Sequence, residues 1–198
     1  MRNGENSLKT CERERLWNQL VEQHGKVVYT YTTGLKQIDL LVRNIQIRKI
    51  SIIVLSAFSV SPVLIDALNS IFWLKIFFAL CGCLLLGLSV YNLKTDHSQQ
   101  IFDLQDAANK LWLVREKYQA LLVDFDSVSV GYIRKRRDEL VLETSQIYIK
   151  MPKTSRAAYE RARRALKKED EQSFDLGEAE KLLPNAITER TYSDFVNH

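Results

Sequence analysis

The sequence lacks the paired cysteines, clustered histidines and glycine-rich loops on which most metal sites, disulfide scaffolds and nucleotide-binding folds depend. The spacing of Cys11, Cys81 and Cys83 fits neither a zinc site nor a disulfide framework. The three histidines are scattered, so no metal centre and no Ser-His-Asp or Cys-His arrangement can be proposed. Neither GxxxxGK[ST] nor GxGxxG is present. We therefore expect no enzyme, no catalytic residue, no metal and no cofactor.

Charge is also limited. The chain has 198 residues, a net charge of +4 and 26% charged residues, and we expect no nucleic-acid binding, which would require more positive charge and a recognisable module. A modest positive charge fits attachment to an anionic lipid surface. Because the mean hydropathy is slightly negative, an integral membrane protein of this composition has to concentrate its apolar residues in a few segments.

Two apolar segments, residues 47–65 and 71–93, adjoin across a short polar break, IDALNS. A bilayer core of ~30 Å needs ~20 mostly apolar helical residues, and each segment reaches that length with its flanks. Residues 76–93 of the second segment are apolar on every face, whereas a helix on a soluble domain keeps a polar face. We predict a two-helix transmembrane hairpin. The alternative is a helical hairpin buried inside a soluble core.

The charges that flank the two segments predict their orientation. Arg43, Arg48 and Lys49 precede the charge-free part of the first segment, which begins at Ile50, and Lys94 follows the second, so the positive-inside rule places both termini in the cytoplasm and the IDALNS turn outside. The N-terminal sequence is charged and lacks the apolar core of a signal peptide. We therefore expect the first segment to act as the insertion signal of a multi-pass membrane protein.

Small and polar side chains within the two segments indicate how they pack. Ser56 and Ser59 can bond back to a carbonyl one turn earlier, pair with another helix, or face water. Ala79, Cys83 and Gly87 recur every four residues, so they share a ridge that allows helices to approach closely. We predict that the serines line a pore or contact a neighbouring helix. The ridge would pack against the first segment or between subunits, unless its small residues recur by chance.

The rest of the sequence predicts helices and no strand. Residues 1–46 form a cytoplasmic helix that continues into the first apolar segment, either without interruption or with a break near Gly25 or Gly34. Residues 94–187 form a C-terminal cytoplasmic helical region that begins with a long amphipathic helix, antiparallel to the first, and residues 188–198 form a tail. The predicted fold is all-α, a transmembrane hairpin that continues into a cytoplasmic bundle of long helices.

Local signals mark where the C-terminal helices begin and end. The acidic, serine-rich stretch at residues 124–131 ends the long helix. Met151–Pro152 ends the next one, because the residue before a proline avoids the helical region. Thr154 or Ser155 caps a short helix, whose predicted buried face consists of Ala158, Ala162, Ala165 and Leu166.

Basic residues form two groups in the C-terminal region. One group is a run of four on a predicted helix, and the other combines basic and aromatic residues around Pro152. Both could contact phosphate groups of an anionic ligand or a lipid headgroup, and the second could stack a nucleotide base on tyrosine. The alternative is a solvated helix end. The candidate contacts are Arg134, Lys135, Arg136, Arg137, Arg156 and Tyr159.

The order of these elements resembles the SLATT family of bacterial two-transmembrane proteins. The resemblance covers about Arg15 to Ile187 and rests on the order of several short features rather than on one specific motif. These features are Trp17, the dipeptide Arg43-Asn44, the two apolar segments, Tyr118, the RDEL sequence at 137–140, MPKTSRAAYERARRAL at 151–166 and SFDLGEAEKLLPNAI at 173–187.

The resemblance implies a membrane effector of an anti-phage or conflict system in the bacterial inner membrane. Members of the family are expected to oligomerise and to form a pore or disrupt the membrane on a cytoplasmic signal, which would arrest growth or kill the cell. The implied partners are the lipid bilayer, further copies of the chain, and a nucleotide second messenger or a sensor protein. The alternative function is a membrane-tethered helical sensor or binding module without pore activity.

Overall fold

The computed structural model describes residues 2–59, 72–169 and 171–172. Five α-helices and no strand lie within these residues, which confirms the all-α prediction for this part of the chain. Predictions for residues 60–71 and 173–198, including the IDALNS turn and the tail, lie outside the described residues. In chain order the helices are α1 (Arg2–Ser59), α2 (Phe72–Lys94), α3 (Ser98–Val123), α4 (Val130–Lys150) and α5 (Arg156–Lys168).

The α1 helix is continuous through Gly25 and Gly34, so the break considered at either glycine does not occur. A glycine inside a helix costs about 1 kcal/mol relative to alanine, and the packing of α2, α3, α4 and α5 against α1 outweighs that cost. Gly34 also allows close packing, since a Cβ atom there would lie 3.0 Å from the Met151 Cε atom. The glycine is therefore compatible with both the helix and the contact.

The α1 helix runs antiparallel to α3 and then to α2. Near its N-terminal end, the Arg13 guanidinium lies 3.7 Å from the Asp126 carboxylate. Near its C-terminal end, the Arg48 guanidinium lies 5.7 Å from the centre of the Tyr91 ring. The two contacts place the two ends of α1 beside opposite ends of the stretch formed by α2 and α3. The predicted antiparallel arrangement is confirmed.

The hydrophobic core lies between α1, α3 and α4. The apolar residues that form it recur every three or four positions on each helix, as the amphipathic patterns predict. Burying side chains of this size stabilises the fold by about 1.5–3 kcal/mol each. Its main members are Leu16, Leu20 and Val27 of α1, Leu111, Val114 and Tyr118 of α3, and Ile133, Leu140 and Ile147 of α4.

Arg13 holds the connection between α3 and α4 against α1. Its guanidinium donates hydrogen bonds to the carbonyls of Phe125 and Val128 and lies 5.0 Å from the centre of the Phe125 ring. Ser129 then caps α4 by accepting a hydrogen bond of 3.3 Å from the Tyr132 amide. The carbonyls of Phe125 and Val128 thus accept hydrogen bonds from a residue of α1 that is distant in sequence.

The α5 helix begins at a capped turn that docks on α1. The Ser155 hydroxyl accepts from the Ala158 amide at 3.2 Å, which confirms the predicted cap. The Ser155 amide donates to Gln37 Oε1 at 2.8 Å, so α1 also holds the start of the helix. Ala158, Ala162 and Ala165 are buried, as predicted, whereas Leu166 is only half-buried.

A buried hydrogen-bonded pair joins α3 to α4. Tyr118 is fully buried and its side chain is hydrogen-bonded to that of Thr144. The Thr144 hydroxyl in turn donates to the Leu140 carbonyl at 2.6 Å. Burial raises the pKa of Tyr118 above its usual value of 10.0, while the bond to Thr144 opposes this effect. Tyr118 therefore remains a neutral donor inside the core.

Replacing Tyr118→Phe should destabilise the bundle by about 1 kcal/mol, because it removes one buried hydrogen bond to Thr144 while leaving the bond from Thr144 to Leu140 in place. The midpoint of thermal unfolding should fall by a few degrees. Tyr148→Phe is the matched control, since the Tyr148 hydroxyl makes only an exposed contact of 3.3 Å with the Thr30 hydroxyl. Equal midpoints for the two variants would contradict this assignment.

His24 lies half-buried on α1. Its Nε2 atom is buried and has no hydrogen-bond partner among the described residues. Burial lowers the pKa of His24 below its usual value of 6.5, the charge of Arg115 lowers this pKa further, and Glu116 opposes both effects. Because the unfolded chain then binds a proton more readily than the folded one, the contribution of His24 to stability is lost as the pH falls below about 6.5.

The variant His24→Gln should therefore lose less stability than the parent between about pH 7.5 and about pH 5.5. The measurement is the unfolding midpoint of both proteins in detergent at the two pH values. Asn18→Gln, an exposed and non-titrating change on the same helix, serves as the control. An identical pH dependence in the parent and in His24→Gln would show that His24 does not contribute.

Candidate functional site

The α2 helix carries a large apolar surface. The sequence has no charge between Ile76 and Tyr91, and only one side of this stretch, which includes the buried Cys81, packs against α1. The exposed positions cover roughly half of the helix circumference. Leu84 is 62% exposed and Leu86 is 69% exposed. The other large apolar residues on this surface are Ile76, Phe77, Leu80 and Val90.

The C-terminal part of α1 continues the same apolar surface. Ile50, Ile53 and Val54 are exposed. The Ser56 hydroxyl, half-buried on the flank of this face, donates to the carbonyl of Ile53 at 2.8 Å. Ser56 thus bonds back to its own helix, which is one of the three arrangements that the sequence allowed. The Ser59 side chain lies outside the described residues, so the pairing of the two serines in a lumen stays a prediction.

The ridge of small residues on α2 points away from α1. Ala79, Cys83 and Gly87 are all exposed, and a Cβ atom built at Gly87 would meet nothing within 4 Å. The ridge therefore does not form the contact between α1 and α2, which was one of its two predicted roles. Packing between subunits, the other role, stays a prediction.

The predicted membrane hairpin is not confirmed. None of the helices within residues 2–59 and 72–169 has the length and mean hydropathy of a membrane span. The first predicted segment, residues 47–65, ends outside the described residues.

The basic run on α4 is largely paired with polar or acidic side chains. Arg134 is ion-paired with Glu12 of α1. Arg137 donates to Asp138 at 2.7 Å and to Gln19 at 3.0 Å. The contacts with Glu12 and Gln19 hold α4 against α1. The acidic partners also reduce the positive charge that the run offers to an anion. Arg136 likewise pairs with Glu139, whereas Lys135 is exposed.

The second basic group lies at another level of the bundle. Tyr159 stacks on Tyr29 of α1, with ring centres 6.3 Å apart, and the Arg156 side chain is 92% exposed. The basic run reaches α1 near Gln19, about 15 Å along the helix from Tyr29. The structure therefore does not bring the two groups into one site. The described residues also contain no cluster of His, Cys, Asp or Glu that could hold a metal ion.

No curated protein and no solved structure resembles the chain closely enough to count as a match. A family model described as "SMODS and SLOG-associating 2TM effector domain family 4" matches residues 16–178. The match covers most of the chain, including all of α2, α3, α4 and α5. The chain therefore belongs to family 4 of the SMODS- and SLOG-associating two-transmembrane effector domains, the SLATT group that the order of its sequence elements resembles.

Proposed function

We propose that this protein is a membrane effector of a bacterial conflict system, which oligomerises in the inner membrane and permeabilises it when a cytoplasmic signal arrives. The family description names a two-transmembrane effector domain, and the two spans would be residues 47–65 and 71–93. Both termini would lie in the cytoplasm. No catalytic step is assigned to the chain.

The exposed apolar surface of α2 is the observation that carries the proposal. Monomeric soluble proteins rarely leave a large contiguous apolar patch in water, and such a patch marks a membrane or protein contact. The patch here is formed by leucine, isoleucine and phenylalanine on one helix and by Ile50, Ile53 and Val54 on its neighbour. Lipid tails would cover these side chains without requiring any polar partner.

Oligomerisation follows from the number of helices. Two helices in one chain cannot enclose a water-filled path, so conduction requires several copies. The exposed ridge of Ala79, Cys83 and Gly87 offers a surface on which helices of neighbouring copies can approach closely. Ser56 and Ser59 would then supply polar side chains to a lumen or to a neighbouring helix.

The bundle of α1, α3, α4 and α5 would receive the signal. Arg48 and Lys94 separate this bundle from the apolar surface. The α1 helix continues directly from the bundle into that surface. A displacement of α5 or of the α3–α4 pair would therefore reach the hairpin through one rigid element. The signal would be a nucleotide second messenger or a sensor protein, for which the exposed Lys135 and Arg156 are candidate contacts.

A membrane-tethered sensor without pore activity is the second candidate function. It is favoured by the bond between the Ser56 hydroxyl and the Ile53 carbonyl, because a serine that is satisfied within its own helix needs no aqueous lumen. In this case the hairpin would only anchor the bundle.

Depolarisation of cells distinguishes the two functions. Induced expression of the parent, together with its activating system, should collapse the signal of a membrane-potential dye. The double variant Ser56→Leu with Ser59→Leu should abolish the collapse, because it removes the polar side chains assigned to the lumen.

Ser145→Leu is the matched control for this experiment. The Ser145 hydroxyl makes the same kind of bond, to the Leu142 carbonyl at 2.8 Å, but on α4 and outside the hairpin. This variant should depolarise cells as the parent does, at equal amounts of protein in the membrane. Depolarisation by the double variant would reject the lumen assignment, and a parent that never depolarises cells would favour the tether.

A further inference from the structure

A small cleft lies where α1, α2 and the start of α3 meet. Its volume is about 290 Å³, and its lining consists of Asn44, Ile47, Arg48, Tyr91 and His97. Four of these side chains carry hydrogen-bonding groups, and one is a permanent cation. The cleft lies at the end of the apolar surface, beside the exposed Lys49 and Lys94.

Arg48 is the unusual member of the cleft. Its Nε atom is buried and has no hydrogen-bond partner among the described residues. The guanidinium lies 5.7 Å from the centre of the Tyr91 ring, and the cation–π attraction offsets only part of the cost of removing the charge from water. This Nε–H group therefore lacks a partner that an anion in the cleft would supply.

Within the part of the chain that the structure describes, no carboxylate forms an ion pair with Arg48. These residues therefore do not supply the anion. Asp96 is the acid next in sequence to the cleft, but its carboxylate accepts the Ser98 amide at 2.8 Å. The hydroxyl and then the amide of Ser98 lower the pKa of Asp96, so this carboxylate stays ionised at the start of α3. His97, which precedes α3, makes no capping bond with its side chain.

We propose that this cleft binds the phosphate group of an anionic phospholipid at the cytoplasmic surface of the membrane. Arg48 would offer its planar guanidinium to two phosphate oxygens, the arrangement in which arginine exceeds lysine. Asn44 and His97 would donate to the remaining oxygens, and Tyr91 would lie at headgroup level, where aromatic residues gather. The inference rests on the membrane position proposed above.

The test uses the full chain in detergent and native mass spectrometry, which resolves individual bound lipids. The parent should bind phosphatidylglycerol in preference to phosphatidylcholine. Arg48→Ala should weaken phosphatidylglycerol binding by about tenfold or more, since a charge-assisted hydrogen-bond pair is lost. Lys49→Ala, which removes the same charge from the next, exposed position, should weaken it by a few-fold at most.

Arg48→Lys serves as a second variant, which keeps the test decisive should Arg48→Ala fail to fold. It retains the charge but has no planar fork, so it should also bind phosphatidylglycerol less tightly than the parent. Parent-like binding by Arg48→Lys, or an equal loss in Arg48→Ala and Lys49→Ala, would overturn the proposal. Displacement of the lipid by millimolar inorganic phosphate would also overturn it, since a soluble anion would then be the ligand.

Different results would reject the phospholipid cleft and the proposed pore. A parent that depolarises cells while its Arg48 variants bind phosphatidylglycerol normally would reject the cleft alone. A parent that binds the lipid through Arg48 but never depolarises cells would reject the pore and leave the cleft intact.

Discussion

The antiparallel packing of α1 against α3 and α2 is the constraint on which the other described contacts depend. Arg13 reaches the α3–α4 connection at one end, and Arg48 covers Tyr91 at the other. Because α1 is continuous between these two arginines, the bundle and the apolar surface share one axis.

The two ends of this antiparallel arrangement have different surface chemistry. Around the bundle, charged side chains are paired across helices, as in the contact of 2.7 Å between Lys117 and Glu143. Exposed pairs of this kind contribute about 1 kcal/mol or less each, so the buried core supplies most of the stability. Around α2 the exposed side chains are apolar instead. One continuous helix, α1, therefore carries both kinds of surface, and Arg48 lies where they meet.

Local signals in the sequence predicted much of this arrangement. The break at Met151–Pro152, the cap at Ser155 and the buried alanines of α5 follow from residues within about two helical turns of each other. The contacts of Arg13 and the bond between Gln37 and Ser155 could not be found in this way, because each joins residues more than 100 positions apart. Periodicity placed Ala79, Cys83 and Gly87 on one ridge but could not show which helix the ridge faces. Helix propensity alone could not decide whether α1 breaks at Gly25 or Gly34. Packing against the other helices keeps α1 continuous there.

The central claim is that lipid covers the apolar surface of α2 and of the end of α1. Extraction of membranes from expressing cells with alkaline carbonate tests this most directly, because the wash removes peripheral proteins and leaves integral ones in place. The protein should remain with the membranes and dissolve only in detergent. A polypeptide that is released by the wash and stays in detergent-free buffer as a stable monomer would contradict the claim.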